Sequence, residues 1–236
     1  MKKIICLFLA FTLLFSLCAC GQEESKSNEA TENVVESEDI SYQAGNYITF
    51  GSYEQDNDIS NGAEEIEWLI LDIQDGKALV ISKYALDCKP YNDEWIDVTW
   101  EDCTLRKWLN DDFLNLAFSA DEKSMIPTVT VTADKNPNQS TNPGNDTQDK
   151  IFLLSIEEVN QYFDSDEARQ CELTDFAVAN GACEIGGNCW CWWLRSPGYY
   201  IQDCAAYVDN GVVDEIGSIV DADDNAVRPA MWIELG

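Results

Sequence analysis

The sequence predicts one α+β domain over residues 45–236, in which N- and C-terminal strands share a sheet and helices lie between them. Three observations carry that reading. Apolar, β-branched runs stand at 47–53, 66–73 and 78–84, and apolar tryptophan-rich runs return at 190–198 and 227–233. Between these ends apolar residues recur at helical spacing, and two Ser-x-x-Glu capping boxes mark further helix starts. The region, about 190 residues long, is within the range of a single hydrophobic core.

Taken in order, residues 47–53 form a short strand ending at a Gly turn. The runs at 66–73 and 78–84 are joined through Gln74-Asp75-Gly76, and Asp-Gly is a strong hairpin signal. Both strands are read as central and largely buried. A loop at 87–102 carries Pro90, Tyr91, Trp95 and Trp100 among acids, aromatics that either line a ligand groove or cap the core. Leu105, Trp108, Leu109, Phe113, Leu116 and Ala117 fall on one face of an amphipathic helix, with Arg106, Lys107, Asn110 and Asp111 opposite. Ser119-x-x-Glu122 and Ser155-x-x-Glu158 open short helices, the second after a strand at 151–154. Residues 136–149, rich in Asn, Pro, Gly and Thr, read as a surface loop too polar for the interior. A further helix over 174–180 stops at Gly181. The final run from Cys189 to Ile233 reads as short buried strands holding up polar loops that face outward.

The N-terminus addresses the compartment. Lys2 and Lys3 precede an apolar stretch at 4–17, too short for a stable bilayer anchor. Leu17-Cys18-Ala19-Cys20 resembles a bacterial lipobox. That resemblance implies a signal peptide over 1–19, cleavage before Cys20, and diacylation of its thiol on the outer face of the cytoplasmic membrane. Each buried acyl methylene then contributes roughly 0.8 kcal/mol. Residues 20–44 become an acidic flexible tether.

The chain holds 14 Lys and Arg against 44 Asp and Glu, a net charge of −30, or about −32 once Lys2 and Lys3 are removed. Such a balance argues against binding nucleic acid or anionic headgroups by charge. An apolar content of 45% with 11% aromatics excludes a disordered acidic protein.

Histidine is absent, which removes Ser-His-Asp and Cys-His catalysis and histidine-based zinc sites. No phosphate loop or dinucleotide fingerprint is present, and no catalytic residue or cofactor is assigned. Seven cysteines remain beyond the lipobox: Cys88, Cys103, Cys171, Cys183, Cys189, Cys191 and Cys204. Cys183, Cys189 and Cys191 with Cys171 or Cys204 offer a four-thiolate site, but Cys-x-Cys beside bulky Trp is a poor zinc spacing. Buried thiols or a disulfide are the reading adopted, with no metal. Asp221-x-Asp223-x-Asn225 imitates half a calcium loop yet has Ala226 where Gly is required and Trp232 at the twelfth position. Scattered loop carboxylates leave room only for weak calcium binding. Arg195 and Arg228 sit inside apolar strands. Each is read as satisfied by a nearby carboxylate or carbonyl, a structural core shared with Trp68, Trp108, Trp193 and Trp232.

Several segments carry a family likeness. They are Ile48-Thr49-Phe50-Gly51-Ser52-Tyr53, Ile66-Glu67-Trp68-Leu69-Ile70-Leu71-Asp72, Thr104-Leu105-Arg106-Lys107-Trp108-Leu109-Asn110, Trp192-Trp193-Leu194-Arg195-Ser196-Pro197-Gly198 and Val227-Arg228-Pro229-Ala230-Met231-Trp232-Ile233. With the runs at 79–87 and 150–155, they resemble a bacterial domain-of-unknown-function family frequent in lipoproteins and secreted proteins of Firmicutes. More loosely, the last two are similar to the core of C-type-lectin-like and sulfatase-modifying-factor-like domains. That implies a lectin-like fold with an exposed loop face, without the calcium–sugar signatures. Some lectin-like proteins are diversified by retroelements, and residues 199–225 carry residue types compatible with that.

Two functional classes follow. The first is a surface-anchored, non-enzymatic module binding a protein or glycan through Trp95, Tyr199, Tyr200, Asp203, Tyr207, Asp209, Asn210, Asp223 and Asn225, a paratope-like composition. The alternative is a cysteine- or metal-dependent enzyme of the sulfatase-modifying type using Cys189 or Cys191. An envelope-structural lipoprotein without external ligand is the third.

Overall fold

A computed structural model describes residues 42–185, 188–189, 191–199 and 201–236, all within one compact unit. Cys20 and Tyr200, singled out above, lie outside the described residues, as does the first residue of the 190–198 run. No helix among the described residues is long and apolar enough to cross a membrane.

The chain opens with β1 (Tyr47–Tyr53), β2 (Glu64–Gln74) and β3 (Lys77–Ser82). At the β2–β3 turn Asp75 and Gly76 both have positive φ, 50° and 74°, the twist that matches a two-residue hairpin. A two-residue strand β4 (Asp87–Cys88) follows. The predicted helix is three pieces: α1 (Thr104–Trp108), a π turn at Leu109–Phe113, and α2 (Leu114–Ala117). The buried residues Leu105, Leu109, Phe113 and Ala117 are four apart, a longer step than the α-helical repeat, and the wider π turn absorbs the drift. The same phase shift brings Leu114 inward and turns Leu116 out to 71% exposure, correcting its place on the apolar face. Then come α3 (Ala120–Met125), β5 (Val129–Val131), β6 (Thr147–Asp149), β7 (Ile151–Phe152), α4 (Ile156–Tyr162), α5 (Asp166–Arg169) and α6 (Asp175–Ala179). Both expected capping boxes form: Ser119 with Glu122 opens α3, and Ser155 with Glu158 opens α4. The remainder is β8 (Glu184–Ile185), β9 (Asn188–Cys189), β10 (Cys191–Pro197), β11 (Cys204–Asp209), β12 (Val212–Ile219), β13 (Ala226–Val227) and β14 (Ala230–Glu234).

These strands make two five-stranded sheets, ordered β1-β2-β3-β14-β7 and β12-β11-β10-β13-β4. The pairing is antiparallel throughout both, except for β10 with β13, which meet in parallel at Trp192 and Ala226. The C-terminal strand thus lies beside β3 in the first sheet, so N- and C-terminal strands do share a sheet. The architecture is mixed α+β, mostly antiparallel strands with short helices between.

The chain changes sheets within a few residues at the end of the domain. Val227 pairs with Asp87 in the second sheet, and Ala230 pairs with Ile81 in the first. Arg228 occupies the crossing. It is buried and donates from Nε to Ser82 O at 2.9 Å and from Nη1 to Arg169 O at 3.2 Å, its guanidinium lying over Trp192 and Phe163. Arg195 of β10 is buried likewise and paired with Asp134 and Glu158. Trp68 and Trp193 are fully buried, whereas Trp108 and Trp232 are half-buried at the margin of the same continuous core.

One loop divides between its two expected readings, and another departs from expectation. Tyr91 and Trp100 of the 87–102 segment cap the core, but Trp95 stands 63% exposed. In the segment expected to be too polar for the interior, Asn136 and Asp149 are buried and Thr147–Asp149 pairs with β5. Asp149 is made tolerable there by Arg106 Nε at 2.7 Å, the Trp100 indole N–H at 3.1 Å and the Thr147 hydroxyl at 2.5 Å.

Candidate functional site

Residues 199–225, expected as a polar loop region, are largely a β-hairpin. Asn210 and Gly211 make its two-residue turn with φ of 48° and 86°, the positive values that such turns demand. Gly211 is required twice over, because a Cβ there would stand 1.9 Å from the carbonyl oxygen of Asp166. The turn therefore locks β11–β12 against α5. Its Asn-Gly pair was the sequence signal that would have revealed the hairpin.

At the edge of the second sheet, β12 forms the floor of an open cleft of about 830 Å³ lined by Tyr199, Asp209, Asn210, Val212, Val213, Asp214, Glu215 and Ile216. Val212 and Ile216 are 52% and 58% exposed. Asp214 is fixed by three donors: the Tyr207 hydroxyl at 3.4 Å and the backbone N–H groups of Ile216 and Gly217 at 2.8 and 3.1 Å. Glu215 is held by Asn138 through its carboxylate and by Asn136 through its carbonyl, the latter at 2.8 Å. Burial, followed by Asp214, pushes the Tyr207 phenol up, so it stays a neutral donor. Tyr199 joins the cleft through its N–H to Ile216 O at 3.0 Å.

The next segment carries the surface on to Trp95. Its indole N–H donates to Asp203 Oδ2 at 2.7 Å while most of the side chain stays in solvent. Gln202 ties the same loop to Val98 and Asn142, and Ile201 and Ile96 stand exposed beside it in sequence. Tyr199, Asp203, Tyr207, Asp209 and Asn210 thus lie on or next to the β11–β12 hairpin, with Trp95 joined to it through Asp203. Asp223 and Asn225 do not. Asn225 is 2% exposed, and the carbonyls of both residues accept from the Cys88 thiol at the opposite, β4 edge. Asn225 is withdrawn from the ligand-facing set because pairing of β13 with β4 buries it.

Cys88, Cys103, Cys183 and Cys204 are free thiols, and the Cys189 side chain lies outside the described residues. Cys103 caps α1, its sulfur accepting the Arg106 N–H at 3.4 Å. Burial first, then Asp209, pushes Cys191 up to about 12, and burial then Asp203 pushes Cys204 up to about 11. Reactivity follows the thiolate, so both thiols should alkylate with iodoacetamide at neutral pH at least about a hundredfold more slowly than free cysteine. Rates should climb about tenfold per pH unit through the alkaline range. Fast labelling of Cys191 at pH 7 would instead support the cysteine-dependent alternative. Cys88 and Cys103 are also raised to about 12 by burial. Their neutral forms stabilise the fold fully below the ordinary value of 9.0, a contribution lost as pH rises through about 12.

Among the described residues, three metal-ligating side chains converge at Glu54, Asp56 and Glu64, with carboxylate oxygens within 4.8 Å of one another. Hard oxygen donors of this kind suit calcium rather than zinc. Partial desolvation, then Glu64 and Asp56, hold the Glu54 carboxyl above its usual range. Sequence reading passed over this loop and examined 221–225 instead, where no such convergence occurs among the described residues.

No curated protein and no solved structure matches the chain. A family model described as a domain of unknown function, DUF6273, matches residues 75–235. That span runs from the β2–β3 turn through β14. It takes in both buried arginines, Arg195 and Arg228, and the whole β11–β12 hairpin, and the resembling segments at 48–53 and 66–72 fall outside it. The chain therefore belongs to the family of domain of unknown function DUF6273.

Proposed function

We propose that this chain is an exported, lipid-anchored binding protein. Its signal peptide and Cys20 attach it to the outer face of the membrane, and residues 20–44 tether a ligand-binding module. The module has a C-type-lectin-like arrangement and engages a protein or glycan through the β12 cleft and the adjoining Trp95 surface. One observation carries the reading: apolar side chains on the edge strand β12 are left in water where they line a cleft with fixed polar groups. Val212 and Ile216 of the cleft are 52% and 58% exposed, and Ile219 further along β12 and Trp95 and Ile201 in the adjoining loops are exposed as well. Apolar area left in water and rimmed by polar groups marks interaction sites.

The test is an array of glycans and surface proteins probed with the full-length chain in detergent, in calcium and in chelator. Substituting Trp95→Ala, Tyr199→Ala and Ile216→Ser together should weaken any specific binding by about thirtyfold or more, the scale of a hot-spot loss. Specific binding that survives all three changes would sink the reading.

A further inference from the structure

Resting on that reading, we propose that the occupant of the β12 cleft is a cationic peptide segment that carries Lys or Arg together with aliphatic side chains. The argument begins with charge. Asp209, Asp214 and Glu215 line the cleft, and no Lys or Arg joins them. The other clefts with two or more acids differ. The one beside α1 carries Lys89 and Lys107 among its aspartates, and the acidic one next to it carries Lys107 again. Lys83 likewise accompanies Glu172 near the end of β3.

Three buried or half-buried carboxylates elsewhere in this fold are neutralised internally, Asp149 by Arg106 and Asp134 and Glu158 by Arg195. The Glu54, Asp56 and Glu64 cluster, by contrast, shares with the cleft the lack of a basic partner among the described residues. Among the described residues none of the three cleft carboxylates has an ion-pair partner. Two of them are also held in place. Asp214 is gripped by three donors, Glu215 by Asn138, and Asp209 accepts weakly from the Cys191 thiol at 3.9 Å. Preorganised acceptors lose little freedom when a cation arrives. The apolar share of the cleft, Val212, Val213 and Ile216, needs aliphatic area in the same ligand. Val212, Val213 and Ile216 flank Asp214 and Glu215 on β12, with Asp209 at the end of β11, so a ligand carrying both cationic and aliphatic side chains satisfies both. An anionic glycan meets like charge here.

The probes are capped heptapeptides of alternating Lys and Val, with Gln–Val and Glu–Val counterparts, and spermidine, titrated against the full-length chain in detergent at physiological salt. The Lys–Val peptide should bind at least about tenfold more tightly than the Gln–Val peptide, with affinity falling as salt rises. Asp209→Asn, Asp214→Asn and Glu215→Gln together should remove at least about tenfold of that affinity. Because the whole chain is acidic, Glu65→Gln, Asp121→Asn and Asp164→Asn on other surfaces serve as the control and should change it by less than about twofold. Unfolding midpoints check that each variant is folded. Equal loss in the control triple reduces the attraction to bulk charge and overturns the proposal. Equal binding of the Gln–Val peptide, or of spermidine, overturns the cationic or the peptide part while leaving the cleft as a site. An array ligand that depends on Ile216 and Tyr199 but tolerates neutralisation of the three carboxylates has the same meaning. Absence of any cleft-dependent ligand in both experiments removes the binding reading itself.

Discussion

Replacing Arg195 with Met should cost about 3 kcal/mol or more of folding free energy. The guanidinium donates to Leu153 O at 2.9 Å and Thr132 O at 3.2 Å, to Asp134 at 2.8 Å, and to both oxygens of Glu158. It therefore joins β10 to the segment after β5, to the end of β7 and to the first turn of α4. Glu158 is committed twice, because its Oε2 also accepts the Ser155 N–H at 2.8 Å in the capping box. Met fills similar volume but leaves two carboxylates unpaired. Asp134 and Glu158 side chains are only 20% and 24% exposed, so water recovers part of the loss and the cost falls toward the lower end of the range for breaking a buried pair. Lys at 195 keeps the charge without the fork and should fall between. Arg228→Met is the built-in comparison. Among the described residues Arg228 has carbonyl and ring partners but no carboxylate, so its loss strands no charge and should cost less, about 1–3 kcal/mol. Denaturant unfolding at neutral pH decides: an Arg195→Met loss below that of Arg228→Met would refute the account of the network.

The particular elements show what the sequence made legible. The β2–β3 hairpin was readable because Asp75-Gly76 states its turn chemistry locally, and α3 and α4 because each capping box closes within four residues. Arg195 and Arg228 were readable as structural because a charge inside an apolar run must be satisfied on the spot. The pairings that build the sheets carry no such local mark. β14 beside β3 and β13 beside β4 join residues far apart in sequence, and that second pairing is what buried Asn225. The β11–β12 hairpin was missed for a different reason. Edge-strand residues face water on one side, so Val212 to Ile219 mix carboxylates with aliphatics and imitate a loop, and Asn210-Gly211 was the overlooked clue. Asn136 was misjudged because its amide is satisfied at long range, by Pro197 O and Glu215 O. Composition reports polarity, not whether partners await it.

Trp193→Ala is expected to be comparably severe, about 3–5 kcal/mol, as for a large aromatic deleted from a core that cannot collapse around the space. Trp193 is fully buried between Tyr91 and Tyr207, with ring centroids at 5.7 and 6.4 Å, and its indole N–H donates to Lys89 O at 2.9 Å. The two neighbours lead in different directions. Tyr91 donates its hydroxyl to Arg195 O at 3.1 Å, tying the ring stack to the arginine network. Tyr207 reaches the other way and holds Asp214 in the cleft. Removing the indole should therefore do two things that a purely structural residue would not do together: lower the unfolding midpoint, and weaken cleft binding in the fraction that remains folded. Trp193→Phe separates the contributions. It preserves much of the ring packing but leaves Lys89 O unpartnered, which should cost about 1–3 kcal/mol and leave Tyr207 supported. Unfolding and peptide titration on both variants read the outcome. If Trp193→Phe matched Trp193→Ala in stability, the hydrogen bond rather than ring volume would hold the stack. If Trp193→Ala bound as tightly as the parent chain, Tyr207 would need no support from the core to position Asp214.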